Sequence, residues 1–326
     1  MSIWRKQGGL IGKPGGNNYP SSGLWDVADN YIKNNIIPED TGEIQYITPG
    51  TYTFTVPATG ISSVSVVCVG AGGGGLYYSS YSSSYSYRMN GGGGGGLVYV
   101  PALAVTPGQS FSITVGAGGQ SGSYSTGSTI GGASVFGAMS AGGGYPGRYN
   151  SSISGGSFVT GYLGASGRSG GWAVGSPQSS GYGPAGGGGA AGYTSNGGYG
   201  WNRNPSGRPA TYVGDGGGGG GWTTSYFKSF AGGGVGMFGA GANGVQGEAN
   251  VQALGGSGGT AASGGAGTTD QLPGLYGGGG GGNSSSYSGT AGDGGQGVVR
   301  VIFGTGRAFP STNTDLSSSN GNVTIF

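Results

Sequence analysis

Seven runs of nearly pure glycine, at 72–75, 91–96, 142–144, 186–189, 216–221, 232–234 and 277–282, set the terms on which this chain can fold. Glycine loses more conformational freedom on folding than any other residue, on the order of 1–2 kcal/mol of backbone entropy each, and adds no side chain to a core. With 89 glycines among 326 residues, that cost recurs along the whole chain. Apolar residues make up only 34 % and charged residues 7 %, against roughly 45–50 % and 25 % in ordinary domains. A conventional side-chain core and a strongly solvated surface are both out of reach, and the glycines follow no G-X-Y period that would give a collagen helix.

The first run follows VSVVCV directly, and Gly70-Ala71-Gly72-Gly73-Gly74-Gly75 satisfies the G-x-G-x-x-G pattern that presents a dinucleotide pyrophosphate to a helix N-terminus. That chemistry needs a helix after Gly75 and an acidic residue about 20 positions later. The sequence continues LYYSSYSSSYSYR, which is poor helix material, and the next carboxylate is Asp215. The cofactor reading fails on both counts.

Other enzyme chemistry is equally poorly supplied. Histidine is absent, removing the commonest general base and metal ligand, and the single Cys68 permits no thiolate cluster and no internal disulfide. Of ten carboxylates, Asp26, Asp29, Glu39, Asp40 and Glu43 lie in the first 43 residues, and the rest are too dispersed to propose a dyad. A net charge of +2 gives neither a nucleic-acid footprint nor a polybasic membrane anchor. The opening MSIWRKQGGLIGK has no signal-peptide apolar run, and no 18-residue apolar stretch occurs. The expectation is a non-enzymatic protein with no catalytic residues, cofactor, metal, nucleic-acid partner or membrane insertion.

Charge density divides the chain. Residues 1–43 hold Arg5, Lys6, Lys13, Asp26, Asp29, Lys33, Glu39, Asp40 and Glu43, and the remaining 283 residues hold the other thirteen charges. Within this opening segment SGLWDVADNYIKNNIIP reads as a short helix with Leu24, Val27, Ala28 and Tyr31 on one face, Trp25 beside it and Pro38 as the stop. A single helix of that length cannot bury its own apolar face, so it must dock on the body of the chain or on a partner. Strand signals follow: TYTFTV (51–56) and ISSVSVVCV (61–69), read as an antiparallel pair; then LVYVPALAV (97–105), FSITV (111–115), a weaker ASVFGAMSA (133–141), VVRVIF (298–303) and the closing NVTIF. The expected domains are an attachment segment at 1–43, an antiparallel sheet or sandwich from 44–141 and 297–309, a glycine-rich bundle at 142–296 and a tail strand at 310–326.

The glycine runs admit two further readings. As flexible linkers or a Gly/Tyr/Ser condensate-forming tract they would stay disordered, but they are flanked by well-formed strand signals and interrupted by Trp and Leu instead of short repeats. As three-residue-per-turn helices of the polyproline-II type, built from glycine, they would have no internal hydrogen bonds and would satisfy their N–H and C=O groups by lateral packing, with backbones close together because no Cβ intervenes. A six-residue run would span roughly 19 Å. The fold class expected is therefore all-β plus polyglycine-II: a small antiparallel sheet or sandwich built from both chain ends, carrying a bundle of glycine helices with long loops, and one short N-terminal helix. The inserts between runs combine Tyr, Trp, Ser and Arg, the chemistry of a paratope.

The stretches TPGTYTFTVPATGISSVSVVCVGAGGGG, GGGGGGLVYVPALAVTPGQSFSITVGAGG and GGQGVVRVIFGTGRAFPSTNT together resemble the glycine-rich tail-fibre and structural proteins of T4-like phages, cyanophages especially, and SGLWDVADNYIKNNIIP resembles the helix that precedes the sheet in many of them. MSIWRKQGGLIGKPGG departs from the attachment segment of that family. The resemblance implies a virion protein, a fibre-tip adhesin whose glycine helices carry loops that contact an outer-membrane protein or glycan of the host. The loop candidates are Tyr77, Tyr78, Tyr81, Tyr85, Tyr87, Arg88, Tyr124, Tyr145, Arg148, Tyr149, Tyr162, Trp172, Trp201, Arg203, Trp222 and Tyr226. Trp4, Leu24, Trp25, Val27 and Tyr31 are the candidates for attachment to another fibre, baseplate or head protein. Homo-oligomerisation stays open, as do a head fibre or capsid decoration without receptor role and a cellular Gly/Tyr-rich matrix protein. Counting directions, 70–75 leaves the sheet and 91–96 returns, 116–119 leaves and 131–132 returns, and 142–144 leaves and 186–189 returns. That count puts 76–90, 120–130 and 145–182 at the far end.

Overall fold

The computed structural model describes residues 41–57, 60–77, 89–149, 151–173, 186–200, 229–245, 247, 253–257, 263–264, 271–283, 290–304, 306–311 and 322–325. The expected helix around Trp25, like the whole attachment segment up to Asp40, lies outside the described residues, and contact density divides the chain into 1–40 and 41–326 at that point. In chain order the strands are β1 (Gly42–Tyr46), β2 (Gly50–Thr55), β3 (Ser63–Val69), β4 (Leu76–Tyr77), β5 (Leu97–Ala104), β6 (Ser110–Val115), β7 (Gly122–Ser123) and β8 (Ser134–Phe136). They continue with β9 (Met139–Ala141), β10 (Phe158–Val159), β11 (Ser166–Arg168), β12 (Ser263–Gly264), β13 (Gln271–Leu272), β14 (Val298–Phe303) and β15 (Asn322–Ile325).

The fold is all-β, in two main sheets. One has the order β11-β5-β3-β14-β1-β15 and the other β10-β9-β8-β6-β2. Both are antiparallel except where β15 runs parallel to β1. One cluster of buried side chains joins them: Tyr46, Val66, Cys68, Val98, Val100, Val299 and Val301 from the first sheet meet Phe54, Phe111, Ile113, Phe136 and Met139 from the second. Alternation along each strand dictates that arrangement, since successive side chains point to opposite faces. Phe111 and Phe136 stack with centroids 4.7 Å apart, and Phe54 lies 6.1 Å from Phe136. Burial in this cluster pushes the Cys68 thiol well above its usual range, so it is a chemically silent hydrophobe.

Two expectations are corrected here. TYTFTV and ISSVSVVCV do not form a hairpin: β2 pairs with β6, while β3 pairs with β5 and β14 in the other sheet. The weak ASVFGAMSA signal is a hairpin of two strands, β8 and β9, turning at Gly137 with φ 54°. The strands at 97–104, 110–115, 298–303 and 322–325 match their expected positions.

The first sheet is buried on its second face as well. There Val67, Val69, Leu97, Val298 and Ile302 pack against Ala190, Ala191, Tyr193, Val235, Met237 and Phe309. Arg300 and Glu43 lie on this side, both with side chains fully buried, and Arg300 NH2 donates to Glu43 Oε2 at 2.5 Å. Arg300 NH1 also donates to Met237 O, and its guanidinium lies 4.6 Å from the Phe238 ring centre. Arg307 donates to the same Glu43 oxygen and to Gly42 O. Residues 306–309 are thereby tied to β1, and Phe309 N donates to Ser65 Oγ on β3.

Where β3 ends, hydrogen bonding changes character. Gly70 and Gly73 donate to Gly96 and Gly93, Ala71 and Gly74 to Gly132 and Thr129, and Gly72 and Gly75 to Gly295 and Gly292, at 2.8–3.1 Å. The partner segment changes at each residue and recurs at every third, with falling numbers that mark all three as antiparallel neighbours. The carbonyls add three parallel neighbours: Gly119 and Gly122 donate to Gly72 and Gly75, Gly144 and Gly147 to Ala71 and Gly74, and Gly280 and Asn283 to Gly73 and Leu76. Segment 70–76 is thus surrounded by six others.

The same period governs the next segment. Asn90, Gly93 and Gly96 donate to Arg148, Tyr145 and Gly142, and Gly92 and Gly95 donate to Gly280 and Gly277. At most of these positions a Cβ has no room. A Cβ built on Gly94 falls onto the Gly189 carbonyl, and one on Gly92 onto that of Gly73.

Candidate functional site

The parallel and antiparallel relations assign each glycine segment a direction. Segments 70–76, 119–122, 144–147 and 280–283 run away from the sheets, and 90–96, 129–132 and 292–295 run back. Described residues between an outgoing segment and its return therefore collect at the end of the glycine region farthest from the sheets, as the direction count expects for Leu76, Tyr77, Met89 and Asn90 and for most of 120–130; 78–88 lie outside the described residues. For 145–182 the count is corrected. Tyr145 N donates to Ser154 O and Gly142 N to Ser157 O, so the chain returns at 154–157. It then enters β10 and β11, edge strands of the two sheets, before leaving again at 169–173.

Several expected residues meet at this distal end. Tyr124 N donates to Tyr77 O at 2.8 Å, and the Tyr124 and Tyr149 rings form an edge-on pair 5.6 Å apart. Tyr124 is 55 % exposed and Tyr149 37 %, so the pair faces outward. Tyr149 also bridges to Met89, and Tyr77 to Asn283. Beside them Ser123, Ser125 and Thr126 tie their hydroxyls together at 2.9 Å in a tight turn that aims Tyr124. On the flank of the glycine region, level with Tyr145, Trp172 is 46 % exposed and makes an edge-on pair with Tyr199 at 6.4 Å, held by the Ile153–Ala173–Gly200 bridges. Arg148 is exposed, and its carbonyl accepts from Asn90 N. Tyr145 is exposed on the flank of the glycine region, one turn short of the end.

Tyr162 lies elsewhere. Its hydroxyl accepts from Ala138 N at the β8–β9 turn, and its ring packs on the side-chain core at the sheet end opposite the distal turns. Tyr78, Tyr81, Tyr85, Tyr87, Arg88, Trp201, Arg203, Trp222 and Tyr226 lie outside the described residues, as do Trp4, Leu24, Trp25, Val27 and Tyr31.

The sequence reading passed over Tyr199, Asn90 and Asn283. Both asparagines are buried where glycine segments meet the distal turns, Asn90 Nδ2 donating to Ser151 O and Asn283 Nδ2 to Thr290 O. Their signal was available, since Asn90 immediately precedes one six-glycine run and Asn283 immediately follows another.

A family profile described as a glycine-rich domain matches residues 47–304, well over half of the chain. The chain belongs to this glycine-rich domain family. No curated protein matches it. The matched span of the glycine-rich domain takes in both sheets' central strands and every described glycine segment. It leaves out β1, the segment 306–311 and β15, although β1 and β15 complete the six-stranded sheet.

Proposed function

We propose that this glycine-rich domain belongs to a non-enzymatic virion protein of a T4-like phage, a tail-fibre adhesin whose distal aromatic turns bind a host surface protein or glycan. In this reading the two sheets form a sandwich and the glycine segments are packed polyglycine-II helices. The shared core of the two sheets supports the first element. The second is supported by the third-residue recurrence of hydrogen-bond partners, which matches a helix of three residues per turn without internal bonds.

The observation that carries the adhesin reading is the outward-facing aromatic pair Tyr124–Tyr149 at the end of a stiff support, with a second pair, Trp172–Tyr199, on its flank. Tyrosine and tryptophan supply amphipathic contact area at low entropy cost, and a support without internal freedom leaves little more to lose on binding. The segment before Thr41 joins the protein to another fibre, baseplate or head protein in this proposal, and the protein acts on the virion.

The test is adsorption of phage carrying Tyr124→Ala, Tyr149→Ala and Trp172→Ala together. Three truncated aromatic anchors at roughly 1–2 kcal/mol each predict at least a hundredfold slower host adsorption, with particle yield and incorporation of the protein unchanged. Tyr162→Ala at the opposite end leaves adsorption as it was. Wild-type adsorption by the triple variant would refute the reading and favour a structural head or fibre component, which labelled antibody on whole particles would then locate.

A further inference from the structure

The chain enters the described body at Thr41 and passes at once into β1, which lies antiparallel to β14 over five positions, from Gly42 opposite Phe303 to Tyr46 opposite Val299. The residues before β14, 290–297, are a returning glycine segment, so the Val298 end of β14 is continuous with the path to the distal turns. Gly42 therefore sits at the end of the sheet farthest from the glycine region. A pull on the chain at Thr41, directed away from the distal turns, draws β1 from one end while β14 is held from the other. The ladder bonds are then loaded together in shear instead of one at a time.

Sliding is further opposed by charge. Glu43 stands opposite Ile302 and reaches diagonally to Arg300; side chains alternate with a period of two, so the smallest slip under this pull that keeps Glu43 on its face carries it opposite Gly304, two positions farther from Arg300. Arg300, with a fully buried side chain, and Arg307, 11 % exposed, would both lose the carboxylate they share. Stripping the partner from a buried charge is strongly unfavourable. Arg307 and Gly42 add a second tie across the same end through Arg307 NH1 and Gly42 O. Glu43 and Arg307 lie outside the span matched by the glycine-rich domain family, and Arg300 lies inside it.

We propose that β1 is a mechanical clamp: force reaching the domain through Thr41 is borne in shear by the β1–β14 ladder, with Glu43 pinning its register against Arg300 and Arg307. The proposal rests on topology and the buried ion pairs, and it stands or falls independently of what the distal turns bind.

Single-molecule pulling on the full chain tests it. One handle is at the N-terminus and the other on a cysteine introduced in the exposed distal turn, Ser125→Cys; Cys68 is fully buried and does not compete. At a fixed load β1 release should be about 100-fold faster in Glu43→Gln than in the parent. Arg307→Gln, which leaves the Glu43–Arg300 pair intact, should fall between them and guards against a Glu43 variant that fails to fold. Moving the second handle to the fully exposed Leu163 (Leu163→Cys), beside the β8–β9 turn at the same end as Gly42, should turn shear into peeling and lower the rupture force of the unmodified clamp. Equal rupture forces in the two geometries, or release rates unchanged in folded Glu43→Gln and Arg307→Gln, would overturn the proposal.

Discussion

The molecule holds two interiors built on opposite rules. In the core shared by the two sheets, Phe54, Phe111, Ile113, Phe136, Val66 and Val301 fill space with side chains. Among the glycine segments the backbones themselves are the filling, and each carbonyl occupies the place where a neighbour's Cβ would stand. The first interior is injured by removing atoms and the second by adding one. The glycines are thus the packing residues of their region, which explains how 34 % apolar content suffices to bury a chain of this length.

The sharpest way to break that symmetry is a single methyl. Gly94 donates to Gly171 and accepts from Gly156, and its Cβ would meet the Gly189 carbonyl, so neighbouring backbones on all sides would have to move. Because the obstacles are main chain and not a flexible side-chain end, Gly94→Ala should cost more than about 3 kcal/mol, the upper part of the range for overpacking. A urea midpoint shifted by less than the Ile113→Ala variant would undo the comparison. That second substitution probes the other interior: Ile113 is fully buried among Phe54, Phe136 and Met139, and its truncation should cost about 2–4 kcal/mol through lost transfer energy and a residual cavity. Gly108→Ala controls both, since a Cβ there has open space and only the positive φ of 79° resists it. Its expected cost is about 1 kcal/mol.

How much of this was readable beforehand follows from the same division. Strands that bury one face announce themselves by alternation, as Tyr52-Thr53-Phe54-Thr55-Val56 and β6 do, whereas β5 and β14, buried on both faces of the first sheet, announce themselves as short apolar, β-branched runs. β1 did not, because GEIQY carries Glu43 and Gln45 where a buried strand should carry apolar residues. The reason for Glu43 is Arg300, 257 residues further on. In the glycine region identical residues carry no information about which neighbour each will choose, so the existence of packed runs was legible and their six-way contacts were not. The distal site was half legible for the same reason. Tyr124 and Tyr149 could be placed by counting runs, whereas Tyr162 could not, because β10 and β11 are only two and three residues long and leave Phe158 and Val159 exposed, without alternation.

An effect smaller than either core substitution separates the two interiors by pH. Burial pushes the Tyr46 phenol up to about 12, and the Tyr193 phenol is driven up by its burial as well. An unfolded tyrosine titrates near 10. Since the folded state holds the neutral form more tightly, the stability these phenols contribute is whole below about pH 10 and is lost as pH rises from there through about 12. Tyr46 belongs to the core shared by the two sheets and Tyr193 to the buried cluster on the other face of the first sheet, whereas the runs 91–96 and 277–282 contain no titratable side chain. Alkali should therefore loosen the sheets before the glycine segments, with urea midpoints flat between pH 7 and 9 and declining above 10. Tyr46→Phe should remove about 1–2 kcal/mol of that decline by pH 12. Hydrogen exchange read residue by residue would show the order of release. Protection lost first at Gly94 and Gly95, with Val66 and Val301 still closed, would mean that alkali acts on the glycine segments by a route other than these phenols and that they are the weaker of the two interiors.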